Sequence, residues 1–327
     1  MTVSQPLRRP VKQLLRALSR HLPRALEGEI EPLHKGRVAT RRLREILPLC
    51  ACEVPGGLAN RALRRVRRLG KVLGDVREID VSIGVAEEII QAGSFDTAAG
   101  RCLQQHLQDQ RQEQRERMLD RLSSLNVCKL ERDLADVTRV LGIRQQTGGW
   151  VQMLAVRMER RSEGVQRAIG EAGSLYVSDR VHRVRIAIKK LRYTLELARD
   201  TGKARTREAV RELKETQKVL GRLHDLEVLG RLIQDLTVST DDADDLLVHA
   251  ALESLRLTLN RDCRDLHSHY VGKRESLLRV CRDAAASAAR VWSERGGALS
   301  RPNPTRMVAR LLRMTAQVPK ANSKGSD

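Results

Sequence analysis

Aromatic side chains make up 2% of this 327-residue chain, and Phe95, Trp150, Trp292, Tyr176, Tyr193 and Tyr270 are the full set. Proteins that hold single-stranded nucleic acid stack bases on such rings, at about 1–3 kcal/mol per base, so few platforms are on offer here. No uninterrupted apolar span of about 18 residues occurs, and the N-terminal stretch MTVSQPLRRPVKQLLRAL has no signal-peptide core, so no membrane partner and a cytoplasmic location are expected. The 6 cysteines form no C-x-x-C pair and none of the recurring zinc spacings, which points to reduced thiols. Cys50 and Cys52 are the close pair, and His267 and His269 would add metal ligands only if the fold brought them there. Walker loops, nucleophile elbows and H-E-x-x-H segments are also missing, so neither catalysis nor a cofactor or metal is expected.

What is present is helical in character. The chain is 41% hydrophobic and 31% charged, with 9 prolines and abundant Leu, Ala, Arg and Glu, which favours an all-α protein. Its 61 basic residues outnumber 41 acidic ones, and a net charge of +20 attracts polyanions. Nucleic acid, an acidic membrane surface and inorganic polyphosphate all satisfy that charge taken alone.

The sequence then repeats itself. HKGRVATRRLR from His34 matches HRVRIAIKKLR from His182 at an offset of 148 residues (182 − 34), and KVLGDVREIDV from Lys71 matches KVLGRLHDLEV from Lys218 at 147 (218 − 71). Two motifs in one order at nearly one spacing indicate a tandem duplication. The expected architecture is two helical bundles, residues 1–147 and 148–300, joined near the glycines of RQQTGGW, with 301–327 forming a short helix and a frayed tail. Helices are predicted at about 7–26, 32–47, 57–73, 78–92, 95–124 and 127–142. Corresponding ones follow at about 150–171, 179–200, 203–220, 225–237, 242–271 and 273–296. Pro32 suits a first turn, and Gly74 is expected to end a helix.

At about 100° per residue, His182, Arg185, Lys189 and Arg192 share one arc of about 80°, opposite Val184, Ala187, Ile188, Leu191 and Leu195. His34, Arg37, Arg41 and Arg44 repeat that pattern opposite Ala39, Leu43, Ile46 and Leu47. A second basic rail follows in each half: Arg64, Arg67 and Lys71, then Arg211, Lys214 and Lys218. A single stripe reads most simply as the wet face of an amphipathic helix. Such faces normally mix signs, whereas these rails hold no acid, and four of them suit a track for repeated phosphates. His34 and His182 stand near helix starts, where a neutral imidazole donates to phosphate or ties two helices together; both roles stay open.

The two H-x-x-R-x-x-x-[RK]-[RK]-x-R stretches, with the following L-G-x-x-x-[DE] segments, resemble the CHAD family, the conserved histidine alpha-helical domain. The resemblance covers nearly the whole chain. It implies two helical bundles related by a pseudo-twofold axis around a basic channel that binds inorganic polyphosphate without hydrolysing it, possible granule association included. Carried onto this sequence, the contacts are His34, Arg37, Arg41, Arg42, Arg44, His182, Arg185, Lys189, Lys190 and Arg192. The second rails are a geometric addition. One departure is Glu78 where the family has aspartate, kept as Asp225 in the second copy; both are expected to cap turns. Some relatives carry a triphosphatase module marked by E-x-E-x-K, but Glu27, Glu29 and Glu31 are followed by Pro32 and Leu33, so the binding domain alone is expected. Nucleic acid is the less favoured partner. The acidic run at 241–245 lacks the glycine and spacing of a calcium loop and reads as a helix start.

Overall fold

The structure, a computed structural model, describes residues 6–93, 97–143, 147–239 and 246–293. The acidic run at 241–245 and the tail from 301 lie outside these. Among the described residues there are ten α-helices and no strand: α1 (Arg8–Leu26), α2 (Ile30–Cys50), α3 (Leu58–Gln91), α4 (Thr97–Ser123), α5 (Val127–Ile143), α6 (Gly149–Ala172), α7 (Ser178–Asp200), α8 (Arg207–Ser239), α9 (Leu246–Gly272) and α10 (Arg274–Ser293). No described helix is long and apolar enough to cross a membrane. All six cysteines are free. His267 packs its ring against Tyr176 and Tyr270, at 5.3 and 5.8 Å between centroids, while His269 is exposed.

Two expected breaks do not occur. Gly74 and Gly221 stand inside the continuous helices α3 and α8, so the stretches predicted at 57–73 and 78–92, and at 203–220 and 225–237, are one helix each. A helical glycine costs about 1 kcal/mol relative to alanine. Across Gly74, however, Val66, Leu69, Leu73, Val76 and Ile79 keep their 3–4 spacing and are all buried, each worth about 1.5–3 kcal/mol. Burial wins by a wide margin. Across Gly221, Leu220, Leu223 and Leu226 do the same. Glu78 and Asp225 are therefore mid-helix residues and cap nothing. Close approach is instead the role of Gly70, where a Cβ would lie 3.3 Å from the Thr40 hydroxyl of α2. Chain reversals use other glycines: Gly57 (φ 65°) and Gly148 (φ 79°) adopt left-handed backbone just before α3 and α6.

The contact pattern recurs in the two sets of five helices. In α1–α5 the second helix packs on the first, the third on the second, the fourth on the third, and the fifth on the first and third; α6–α10 repeat each pairing. Between the sets, α2 meets α7, α3 meets α8 and α4 meets α9, like against like, as around a twofold axis; α2 also touches α6 and α4 touches α8. One apolar core runs through both sets without interruption.

Buried polar groups cross the same seam. Arg157 of α6 donates to the Glu45 carbonyl (2.7 Å) and carboxylate (2.6 Å) of α2, and Arg161 joins the same carboxylate at 2.6 Å. The Glu53 carboxylate accepts from the Thr147 amide (2.6 Å), the Thr147 hydroxyl (3.1 Å) and the Trp150 amide (3.3 Å), capping α6 from the far side of the sequence.

Candidate anion-binding site

Where α2 lies against α7, cationic side chains of both helices converge on Lys189. Burial and the charges of Arg41, Arg185, Arg37 and Arg192 push its ammonium down to about 7. Arg37 and Arg41 come from α2, Arg185 and Arg192 from α7 itself. The apolar backs of both helices fix this geometry: Ala39, Leu43, Ile46 and Leu47, and Val184, Ile188, Leu191 and Leu195, are buried in the core.

Each arginine is held in its own way. Arg37 donates through Nη1 to the Leu73 carbonyl (3.4 Å) and to the Gly74 carbonyl on α3, so the glycine notch seats a guanidinium. Arg41 and Arg192 both lie 4.6 Å from the centroid of Tyr193. Arg185 sits near Asp225 of α8 and Glu78 of α3, with burial lowering its pKa first and those acids opposing the shift. Burial raises Asp225 against the pull of Arg185, His224, Arg222 and Arg77. The Nε atoms of Arg41, Arg185 and Arg192 are buried and have no hydrogen-bond partner among the described residues. Three guanidinium Nε donors at this centre thus lack an acceptor, an arrangement that costs free energy.

The histidines flank this centre differently. His34 is exposed, and its pKa is lowered by burial of part of the ring and then by Arg77, Arg41 and Arg37. His182 is half-buried 4.9 Å from the His224 ring, and burial and His224 lower its pKa. His34 is too exposed to be a buried strut, whereas the His182 ring of α7 packs on His224 of α8 and so links two helices.

Other expected positions lie further out. Arg42, Arg44 and Lys190 are exposed, and Arg42 lines a cavity of about 810 Å³ beside Arg9, Glu45, Glu196 and Asp200 that borders the site through Tyr193. On the second rails, Arg64, Arg67, Lys71, Arg211, Lys214 and Lys218 are all exposed, and none is among the main charges felt by Lys189. Lys214 approaches Glu196 at 3.8 Å, and Arg192 approaches the same oxygen at 3.8 Å. An acid therefore stands on the α7 rail one turn beyond Arg192.

Four contributors escaped the sequence reading: Arg77, His224, Tyr193 and Glu196. Arg77 acts on His34, Arg37 and Asp225, and His224 occupies its place in the second half. Reading α3 straight through Gly74 would have found it, because Arg67, Gly70, Gly74 and Arg77 follow the same i, i+3, i+7, i+10 steps as the rails. Tyr193 carries no comparable signal. Its ring is occupied by two guanidinium groups and is not free to stack on a base. Among the described residues, no three His, Cys, Asp or Glu side chains are grouped to hold a metal ion.

Comparison with known proteins gives a family and a fold. The CHAD domain matches residues 11–234. The crystal structure of the CHAD domain from the plant Ricinus communis is similar at 22% identity and a TM-score of 0.55, over 92% of this chain and 93% of that one. PptA from Streptomyces chartreusis is similar at 15% identity and a TM-score of 0.57, over 88% of this chain and 98% of that one. None of the curated proteins matches.

Proposed function

The chain belongs to the CHAD domain family, and from that premise we propose that it binds inorganic polyphosphate between α2 and α7, without hydrolysing it. One observation carries the reading: Arg41, Arg185 and Arg192 from the two halves, each with a buried Nε that has no acceptor among the described residues, gather their charge around a lysine whose pKa is depressed to about 7. Like charges are brought together at a cost that a bound polyanion reverses, each phosphate oxygen accepting charge-assisted bonds of about 1.5–3 kcal/mol. A base-reading partner fits less well, because the Tyr193 ring already carries two guanidinium groups. The contacts proposed are Arg37, Arg41, Arg185, Lys189 and Arg192, with His34 and His182 donating at the rim. The exposed rails at Arg64, Arg67, Lys71, Arg211, Lys214 and Lys218, with Arg42, Arg44 and Lys190, extend the track outward. The duplication then serves to place two rails around one thread in the cytoplasm, where polyphosphate granules are the natural place of encounter.

Calorimetry with long-chain polyphosphate, DNA and RNA at matched charge and ionic strength tests this reading. Polyphosphate is expected to bind tightest, and Arg37→Ala/Arg41→Ala/Arg185→Ala/Lys189→Ala to lose at least about a hundredfold. Equal or tighter nucleic-acid binding, or an unaffected quadruple variant, overturns the reading. Phosphate release on addition of magnesium or manganese would contradict binding without hydrolysis.

A further inference from the structure

A second cationic cavity lies at the far end of α7. The connection from α7 to α8, with the facing turn of α10, encloses about 810 Å³ lined by Arg199, Lys203, Arg205, Arg207 and Arg290, together with Thr206 and Ser287; no acid lines it. Arg199 is ten residues beyond Lys189, about 15 Å along the helix, with Glu196 between them.

The charge here is largely unspent. Arg199 is paired with Asp200 at 2.8 Å, and Arg290 donates to the Ser287 hydroxyl at 3.1 Å. Lys203 rests 5.9 Å from the ring centroid of Trp150, a cation–π contact that positions the ammonium without neutralising it. Arg205 and Arg207 are exposed and make no ion pair among the described residues. Glu208, in the first turn of α8, is outside the lining.

The loop is also firmly built. Gly202 (φ 71°) turns the chain, and the Thr201, Gly202 and Lys203 amides close the end of α7 on the carbonyls of Leu197, Arg199 and Ala198, at 3.0, 2.9 and 2.8 Å. Thr206, 4% exposed, donates its hydroxyl to the Leu195 carbonyl at 2.8 Å. The corresponding connection in the first half, ACEVPGG at 51–57, carries no cation and turns its one acid, Glu53, inward. The basic loop is thus particular to the second half.

We propose that this cavity is a second anion site, separate from the α2–α7 track, that takes a compact triphosphate group. Five cations less the Asp200 partner leave a local charge of +4, close to the roughly four negative charges of a triphosphate at neutral pH. The volume of about 810 Å³ admits such a group with room to spare, so charge and not size carries the assignment. Trp150, 2% exposed, has no open face for a base, so the phosphates and not a nucleoside are recognised.

The site stands whether or not the central track binds polyphosphate, and the test separates the two. Tripolyphosphate is titrated calorimetrically into the Arg37→Ala/Arg41→Ala/Arg185→Ala/Lys189→Ala variant, where one site is expected to remain. Adding Lys203→Ala/Arg205→Ala/Arg207→Ala is expected to weaken it about thirtyfold or more. In the otherwise unaltered chain, the loop triple alone removes one tripolyphosphate equivalent and leaves long-chain binding in place. ATP in place of tripolyphosphate is expected to bind no tighter; tighter binding assigns the triphosphate to a nucleotide. Tripolyphosphate binding that vanishes with the central variant, or that ignores the loop triple, overturns the second site.

Discussion

Lys189 makes polyphosphate binding a proton-coupled event. In the free protein its ammonium, surrounded by Arg41, Arg185, Arg37 and Arg192, titrates near 7 instead of the usual 10.4 or so. The acids that reach this centre bear on its arginines, Glu78, Asp225 and Glu227 on Arg185 and Glu196 on Arg41 and Arg192, and do not restore the lysine. A bound polyanion supplies the missing negative charge and returns Lys189 toward its ordinary value. At pH 8 the free lysine is only about one-tenth protonated, so binding takes up about 0.9 proton; at pH 6 it takes up about 0.1. Affinity therefore falls about fiftyfold between pH 7 and pH 9. Even returned to an ordinary value near 6.5, His34 and His182, both shifted down in the free protein by burial first, would stay mostly neutral at pH 8, so Lys189 dominates the uptake. Calorimetry at pH 8 in buffers of different ionisation enthalpy measures the uptake directly, and Lys189→Arg should abolish both uptake and pH dependence. Binding heats at pH 8 that do not depend on the buffer would refute the reasoning. Stability carries the opposite signature: the unfolded chain holds this proton up to about pH 10, so the folded state gains stability as pH rises from 7 to 10. Lys189→Met should raise the Tm at pH 7 by a few degrees.

Other substitutions probe the frame around this lysine. Tyr193→Leu removes the ring that holds Arg41 and Arg192, at about 0.5–2 kcal/mol per contact, and should weaken polyphosphate binding about tenfold with helicity by circular dichroism unchanged. Asp80 has a fully buried carboxylate paired with Arg111 at 2.8 Å, and Asp80→Ala should cost about 3 kcal/mol in urea denaturation by stranding that guanidinium. Gly221→Ala should stabilise by about 0.5–1 kcal/mol, because a Cβ there meets nothing within 4 Å in a continuous helix. Gly70→Ala should gain little, its Cβ pressing to 3.3 Å on Thr40; destabilisation by Gly221→Ala would mean a turn at that position after all.

Helix period and charge placement carried much of the architecture into the sequence. The apolar arcs opposite the α2 and α7 rails are found buried except for the half-buried Ala187, since amphipathic spacing on one helix is a local property. Gly74 and Gly221 misled because a local preference of about 1 kcal/mol was weighed without the flanking leucines and valines that outvote it. That error cut the α3 stripe at Lys71 and hid Arg77. The sharing of Tyr193 between Arg41 and Arg192 was illegible for a different reason: it joins helices about 150 residues apart, and no periodicity encodes which ring meets which cation. Nor does a helical wheel separate Arg192, held against that ring, from its exposed counterpart Arg44, because the two occupy the same angle and differ only in what the neighbouring helix presents.

The unbroken apolar core, with Glu53 reaching from one set of helices to start the other, fixes how the molecule comes apart. Each set packs mainly on itself, and the shared apolar core together with the Glu53 cap ties the two into one unit. Melting should be a single cooperative event, with calorimetric and van't Hoff enthalpies equal, and a protease that nicks the chain near Thr147 should leave two fragments that stay associated and denature together.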